Sequence, residues 1–267
     1  MIFDIFQYEF MVRALEAGIL IGIVSPIIGV FLVLRRYALI ADTLSHVSLA
    51  GIALALFLGI PPLLTALFTA LFAALGIEKL RRSNRVYGES ALALFLSGSL
   101  AFAVVLLSFA RGLNANLFGY LFGSIVTVTS TDVVVIASAL LLVLLLVGLF
   151  YKELVFTTFD ELSARVGGIP TRFINNLLIL LAALTVSLAI PIVGALLISA
   201  LIVVPVVTAL QFRKGFLKTL MIAEAVSVVS VFSGILLSFL FDLSTGGTIV
   251  LVMLSIFLIV FVLKRGV

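Results

Sequence analysis

The residues best suited to chemistry in this sequence are Asp42 and His46, and His46 is the chain's only histidine. Residues four positions apart share one face of an α-helix, so a helix here would present a carboxylate and an imidazole together. Zn²⁺ and Mn²⁺ accept both ligand types. Two copies of the chain about a two-fold axis would supply four ligands, which predicts a metal site shared by a homodimer.

Two other interpretations of this pair stay open from the residues alone. Asp42 could cap the start of a helix while His46 hydrogen-bonds to a neighbouring helix. An Asp–His pair also suits a proton relay, as in a proton-coupled secondary transporter of cations. The pair begins about 10 Å beyond Arg36 at helical rise, and polar side chains at membrane depth are functional candidates by default.

The elements that must position this pair are membrane-spanning helices. Of 267 residues, 64% are hydrophobic and only 10% are charged, with a mean hydropathy of +1.45. Soluble domains carry about 25% charged residues. The apolar runs are continuous and do not alternate as barrel strands do. We expect an all-α polytopic transmembrane protein that forms a single domain over residues 1–267.

The number of spans follows from uncharged runs, since each span needs about 20 apolar residues. The runs are 17–34, 47–77, 90–110, 133–151, 173–212, 225–241 and 243–263. Pro61-Pro62 should divide the second run, and Ile190-Pro191 with Gly194 should divide the fifth. This predicts about 8–9 spans. Residues 1–10 contain no basic residue, unlike a cleaved signal peptide, so we expect the first run to remain a span.

The basic residues indicate the orientation. Every Lys and Arg except Arg13 and Arg111 falls on one side when these segments are placed together: 35–36, 79–85, 152–172, 213–218 and 264–265. By the positive-inside rule that side is the cytoplasm. We therefore expect a cytoplasmic C-terminus, with an external N-terminus only if the number of spans is odd.

The most polar stretch, residues 152–172, predicts a short cytoplasmic helix. Thr158 and Glu161 have the spacing of a capping box, and a Gly-Gly pair followed by proline ends the pattern. The apolar residues between them recur at helical spacing: Phe159, Leu162 and Val166. Such an amphipathic helix either lies on lipid headgroups or docks in a groove of a soluble partner.

Several kinds of site are excluded. The chain has no cysteine, so it forms neither disulfides nor thiolate metal sites. It has no Gly-x-x-x-x-Gly-Lys-Ser/Thr phosphate loop, so ATP-driven transport would need a separate nucleotide-binding subunit. A Ser-His-Asp hydrolase site is not indicated. We expect a transport protein and not an enzyme, with no permanently bound cofactor and no nucleic-acid partner.

Five segments in order along the chain resemble the zinc/manganese permease family of bacterial ATP-binding-cassette importers. The first two are LRRYALIADTLSH at 34–46 and LFGYLFGSI at 117–125. The third is Phe159-Asp160 with Ala164 and Gly168, and the fourth is VGALL at 193–197 with Pro205 and Thr208-Ala209. The fifth is 242–251, which contains Thr245-Gly246. Ser244 and Ala50 stand where family members often have proline. The second difference leans mildly toward zinc.

The resemblance implies roles for particular residues and partners. Asp42 and His46 correspond to ligands of the permeating metal, Zn²⁺ or Mn²⁺. The segment that couples to the ATPase corresponds to Phe159, Asp160, Leu162, Ala164 and Gly168. The implied partners are a second permease copy, two cytoplasmic ATP-binding subunits and an extracytoplasmic metal-binding protein, in a bacterial or archaeal plasma (inner) membrane. A permease for siderophores or cobalamin is a related alternative, but a buried ligand pair would have no obvious task there.

Overall fold

A computed structural model describes residues 7–83, 86–109 and 114–264, which form helices joined by short turns. The helices are α1 Glu9–Leu34, α2 Leu39–Leu58, α3 Pro62–Arg82, α4 Gly88–Phe109, α5 Asn114–Phe122, α6 Ser130–Leu149, α7 Tyr151–Phe159, α8 Glu161–Val166, α9 Thr171–Val193, α10 Ile198–Leu210, α11 Phe216–Phe241 and α12 Thr245–Lys264. Among them, 8 are long and apolar enough to cross a membrane. The all-α multi-pass fold is confirmed. Arg85, Arg111 and Arg265, used above for orientation, lie outside the described residues.

The apolar run 47–77 divides at Pro61-Pro62, as predicted. Pro62 is the first residue of α3, where its missing N–H costs nothing because first-turn amides have no partner inside the helix. The preceding helix, α2, ends at Gly59, whose φ of 68° lies in the left-handed region that favours glycine.

The apolar run 173–212 divides at Gly194 and not at Pro191. Pro191 lies inside α9, which continues to Val193, and the break runs from Gly194 to Leu197. Proline near the end of a helix removes only the bond to the carbonyl four residues back, so it does not end α9. Gly194 does so, with φ 86° and ψ 149°. Of the predicted signals, the glycine and not the proline sets the boundary.

One end of the molecule, here called the basic end, holds the turns that carry the described Lys and Arg residues of the predicted cytoplasmic segments. Arg82 Nη2 donates to the Arg172 carbonyl oxygen over 2.9 Å and thereby joins the end of α3 to the start of α9. Lys264 Nζ lies 5.1 Å from the centroid of the Phe212 ring. This contact brings the end of α12 to the turn that follows α10.

At the opposite end, the start of α1 contacts the last turns of α11. The ring of Tyr8, before α1, lies 6.0 Å from that of Phe239 near the end of α11. At 13 residues, α10 is about 20 Å long, shorter than the roughly 30 Å hydrocarbon core. It nevertheless returns the chain from the opposite end to the basic end. Together with the 8 long helices, α10 gives an odd number of passes through the described fold, so α1 begins at the end opposite to Lys264.

Three glycines hold the opposite end together through backbone contact. A Cβ added at Gly246 would overlap the carbonyl oxygen of Val193, and one at Gly194 would overlap that of Leu121. At Gly123, which has φ 77°, a Cβ would overlap the carbonyl oxygen of Ile192. These three positions, the glycine junction, pack α5, the end of α9 and the start of α12 more closely than any side chain allows. Each glycine comes from a different one of the resembling segments.

The helix that carries the predicted metal ligands is held centrally. Most of the apolar stretch of α1, α2 and α9 is buried within the chain, whereas α4 and α6 are largely exposed at their outer faces. The α2 helix packs against α3, α4, α9 and α10. Side chains on α2 are therefore fixed by neighbours on most sides, and one line of residues along it stays less covered.

Candidate functional site

Asp42 and His46 share one face of α2, as the spacing predicts. The Nε2 atom of His46 lies 3.9 Å from Oδ1 of Asp42, with 13% and 35% of the respective side chains exposed. Two donors of a tetrahedral centre with bonds of about 2.0–2.2 Å lie roughly 3.3–3.5 Å apart. The observed separation needs only a small side-chain adjustment to place one metal ion between the two atoms.

The described residues do not support the alternative in which Asp42 caps the start of a helix. Ala38, and not Asp42, is the N-cap of α2, and no side chain caps that end. Within the described part of the chain, His46 Nδ1 is buried without a hydrogen-bond partner, so His46 makes no bond to a neighbouring helix through that atom. Neither contact of the structural alternative is present, and the pair is not accounted for by packing alone.

The pair belongs to the least covered line of α2, which we call the α2 stripe. The stripe follows the helical repeat through Leu39, Asp42, His46, Leu54 and Phe57, all partly or fully exposed. Between His46 and Leu54 the line passes Ala50, which is 7% exposed. The residues on either side of Asp42 and His46 are buried. Both candidate ligands thus lie on the least covered side of α2, with His46 more deeply buried than Asp42.

A single chain supplies too few ligands for a complete site. Zn²⁺ in proteins usually has four ligands, at least three of them from side chains. Over residues 7–83, 86–109 and 114–264 there is no group of three or more His, Cys, Asp and Glu side chains that could hold a metal ion. Asp42 and His46 could therefore supply half of a four-ligand coordination sphere, from side chains that are only partly covered by the described residues.

The predicted coupling segment forms two short helices, α7 and α8. Asp160 is the N-cap of α8, and its carboxylate accepts from the Ser163 backbone N–H over 2.9 Å and from Ser163 Oγ over 2.6 Å. These bonds favour the ionised form and lower the pKa of Asp160 below its usual value.

The predicted Thr158–Glu161 capping box is wrong. Thr158 lies in the last turn of α7, where its hydroxyl donates to the Leu154 carbonyl over 2.6 Å. A hydroxyl already bonded within the preceding helix does not cap the next one, and Asp160 takes that position instead.

The apolar residues of the segment are exposed, outside the spans. Phe159, Leu162 and Val166 are exposed by 64%, 77% and 90%, while Ala164 is fully buried against the rest of the chain. Gly168 ends the segment with φ 85°, and the glycine stop is confirmed. We call the exposed side chains of Phe159, Leu162 and Val166 the coupling face.

One functional candidate was missed in the sequence, a hydrogen-bond network around Arg35. Arg35 Nε donates to Thr158 Oγ1 over 3.0 Å, and Nη1 donates to Asn175 Oδ1 over 2.6 Å. Asn175 Nδ2 in turn donates to Glu161 Oε1 over 2.8 Å. Burial lowers the pKa of the Arg35 guanidinium, and the Glu161 carboxylate opposes that effect. The only sequence signal was the position of Arg35 beside the Asp–His segment.

The segments that resemble permeases come together at the two ends of the molecule. The segment with Asp42 and His46 meets the coupling segment at the basic end through Arg35 and Thr158. The other three meet at the glycine junction. This arrangement places the candidate ligands on α2, between a polar network at one end and a rigid backbone contact at the other.

Comparison with known proteins gives matches over nearly the whole chain. Residues 7–264 match the ABC 3 transport family. The manganese transport system membrane protein MntC of Halalkalibacterium halodurans is 34% identical over 266 residues, covering 99% of this chain and 91% of that protein. A protein of Treponema pallidum named as a probable metal transport system membrane protein is 36% identical and covers 97% of both chains.

A solved structure shares the fold at similar identity. It is PsaBC from Streptococcus pneumoniae in complex with Fab, with a TM-score of 0.87, 32% identity, and coverage of 97% of this chain and 94% of that chain. The match therefore includes the short α10 and the coupling segment as well as the long spans. Sequence and fold agree that the chain belongs to the ABC 3 transport family.

Proposed function

We propose that this chain is the membrane-spanning permease of an ATP-driven importer of divalent transition-metal ions. The observation that carries the proposal is the Asp42–His46 pair, partly exposed on a largely buried helix of an ABC 3 family member. An imidazole nitrogen and a carboxylate oxygen together suit Mn²⁺ and Zn²⁺. The relatives' names, manganese transport and metal transport, agree with such a cargo.

The metal pathway lies between two copies of the chain. The α2 stripe presents one Asp and one His outward, and a two-fold axis beside it would bring two of each together. This completes a four-ligand site that one chain cannot form. Apolar side chains flank the pair along the stripe, as expected for a helix–helix contact that excludes lipid and water from the ligands.

ATP is hydrolysed by separate cytoplasmic subunits that bind the coupling face. Three exposed apolar side chains form the coupling face, Phe159 at the end of α7 and Leu162 and Val166 in α8, and Asp160 caps α8 with an ionised carboxylate. Such a helix fits an apolar groove of a soluble domain. The sequence left lipid contact equally open, and membership of an ABC transport family favours the protein partner.

The basic end faces the cytoplasm, and the glycine junction faces outward. The positive-inside rule supports this orientation, because the described Lys and Arg residues of the turns gather at the basic end. Lys264 and the C-terminus are then cytoplasmic, in a bacterial or archaeal plasma membrane. A metal-binding protein delivers the ion at the outer end, and the permease alternates between outward- and inward-open states.

The rival function, a proton-coupled carrier that uses the same pair as a relay, is not supported, because the family is an ABC transport family. Reconstitution separates the two functions. Proteoliposomes that contain this chain, its ATPase partner and its metal-binding protein should take up Mn²⁺ or Zn²⁺ only with ATP. Uptake by the chain alone, driven by a pH gradient, would contradict the importer.

A further inference from the structure

Arg35 connects the coupling segment to the helix that carries the candidate ligands. It is the C-cap of α1, four residues before the first residue of α2. Its Nε atom bonds Thr158 at the end of α7, and its Nη1 atom bonds Asn175 in α9. One guanidinium thereby joins the α1–α2 turn to α7 and α9, the helices on either side of α8.

The network continues into the coupling helix itself. Asn175 is 5% exposed and uses both ends of its amide, accepting from Arg35 and donating to Glu161. Glu161 is the first residue of α8 and follows the Asp160 cap directly. A movement of the start of α8 therefore displaces Glu161. Because Glu161 is bonded to Asn175, and Asn175 to Arg35, the displacement reaches Arg35.

One nitrogen of the partly buried guanidinium is left without a hydrogen-bond partner among the described residues. Its third nitrogen, Nη2, is buried and makes no hydrogen bond to any described residue. A buried charge that loses its bonds is costly. Arg35 therefore follows Thr158 and Asn175 when they move, because leaving either bond unmade is unfavourable.

The turn between Arg35 and α2 transmits such a movement because it is short and internally bonded. Tyr37 N donates to the Leu32 carbonyl over 2.8 Å and Arg36 N to that of Val33 over 3.0 Å, the two bonds of a Schellman motif. Arg36 has φ 60°, which is rare for a residue with a side chain. The Tyr37 ring lies 4.2 Å from the Arg81 guanidinium carbon, which fixes the turn against α3.

We infer that Arg35 is a positioning residue that ties the orientation of α2, and with it Asp42 and His46, to the position of the coupling helix. The inference rests on the proposed importer function, since it needs a partner that moves α8. Arg35 touches neither metal nor nucleotide in this role. It makes the geometry of the ligand pair depend on whether the ATPase subunits hold α8 in one place or another.

The experiment uses the complete transporter in proteoliposomes and measures metal ions taken up per ATP hydrolysed. Arg35→Gln and Asn175→Ala should each lower this ratio about fivefold or more, the scale of a typical coupling between sites, while basal ATP hydrolysis persists. The double variant should be no worse than the worse single variant, because both remove one chain of contacts. Arg36→Asn is the matched control. It removes the neighbouring charge at a position whose φ Asn tolerates, and it should leave the ratio unchanged.

Each outcome has a distinct meaning. A wild-type complex without ATP-dependent uptake refutes the proposed function itself. An unchanged ratio in assembled Arg35→Gln and Asn175→Ala complexes refutes the role of Arg35. If Arg35→Gln fails to assemble, Thr158→Val decides, since at nearly constant volume it removes the acceptor for Arg35 Nε and otherwise only a bond within α7 to the Leu154 carbonyl. A ratio unchanged in Thr158→Val and Asn175→Ala together overturns the inference.

Discussion

His46 Nε2 lies 3.9 Å from Asp42 Oδ1, on the side of α2 that the described part of its own chain covers least. Within one chain the pair is not fully satisfied, because His46 Nδ1 is buried and bonds no described residue, and unpaired polar groups at membrane depth are costly. Under the proposed function, a second copy and a cation would complete the site.

Replacement of either ligand should stop metal transport. His46→Gln and Asp42→Asn keep the volume of each side chain but weaken or remove its metal donor. We expect the rate of Mn²⁺ or Zn²⁺ uptake to fall by at least about tenfold, the scale already typical of outer-shell partners. Ser45→Ala is the control, because its hydroxyl bonds only the Asp42 backbone carbonyl. Near-normal uptake in either ligand variant would remove that residue from the pathway.

The α2 stripe should lie at a dimer contact, and the absence of cysteine makes this simple to test. Leu54→Cys or Phe57→Cys should give a covalent dimer on mild oxidation in membranes, since equivalent positions near a two-fold axis approach each other. Val262→Cys, on α12 and 68% exposed, is the comparison position and should remain monomeric. Cross-linking at Val262 but not at the stripe would place the dimer contact elsewhere.

A charge on the coupling face should uncouple the ATPase subunits. Leu162→Asp places a carboxylate in the middle of the apolar patch, where docking would have to desolvate it. We expect the ATPase subunit to be lost from the purified complex, or to remain without metal-stimulated hydrolysis. Lys152→Gln, at the exposed start of α7, should behave as wild type. If Leu162→Asp binds the ATPase subunit fully and keeps metal-stimulated hydrolysis, the helix contacts lipid and not the ATPase.

The Asp160 cap should be insensitive to pH across the physiological range. Its pKa in the folded protein lies below the ordinary value, so the bonds to Ser163 stabilise α8 fully above the unfolded pKa of about 3.9. That contribution is lost only as the pH falls through the lower folded value. Hydrogen exchange at the Ser163 amide, corrected for its intrinsic rate, should keep its protection between about pH 5 and 8. Asp160→Ala should lose that protection at every pH, and a loss in the wild type over this range would show that the cap is not ionic.

The glycine junction should tolerate no side chain. Gly246→Ala would push a methyl group into the Val193 carbonyl oxygen, and the strain should lower stability by about 1–3 kcal/mol. Thermal unfolding in detergent measures the effect. Gly148→Ala, in α6 with nothing near its added Cβ, should be neutral or stabilising by about 1 kcal/mol. Equal unfolding temperatures for the two variants would mean that the junction has room to relax.

Local physics accounts for what the sequence predicted well. The boundary at Pro61-Pro62 follows from the missing N–H of proline, and the pairing of Asp42 with His46 follows from the helical repeat. The start of α8 was harder, because two capping patterns overlap within four residues. Thr158 fits one and Asp160 the other, and the choice depends on α7 extending far enough to occupy the Thr158 hydroxyl.

The network around Arg35 could not be predicted from any local pattern. Its partners Thr158 and Asn175 lie 123 and 140 positions away in the sequence, and only the fold brings them together. In the sequence Arg35 served as an orientation signal, a role that any positive charge at that position would fill. Its specific function appears only when the distances to its partners are known.

The glycine junction also has a consequence for biosynthesis. Its last component, Gly246, lies near the C-terminal end of the chain, while Gly123 is inserted much earlier. Because Gly246 closes against Val193 and Phe122, the glycine junction cannot be completed until α12 has left the ribosome and entered the membrane. Until then the Val193 and Phe122 carbonyls lack the packing partner that Gly246 supplies, so insertion of α12 completes the junction.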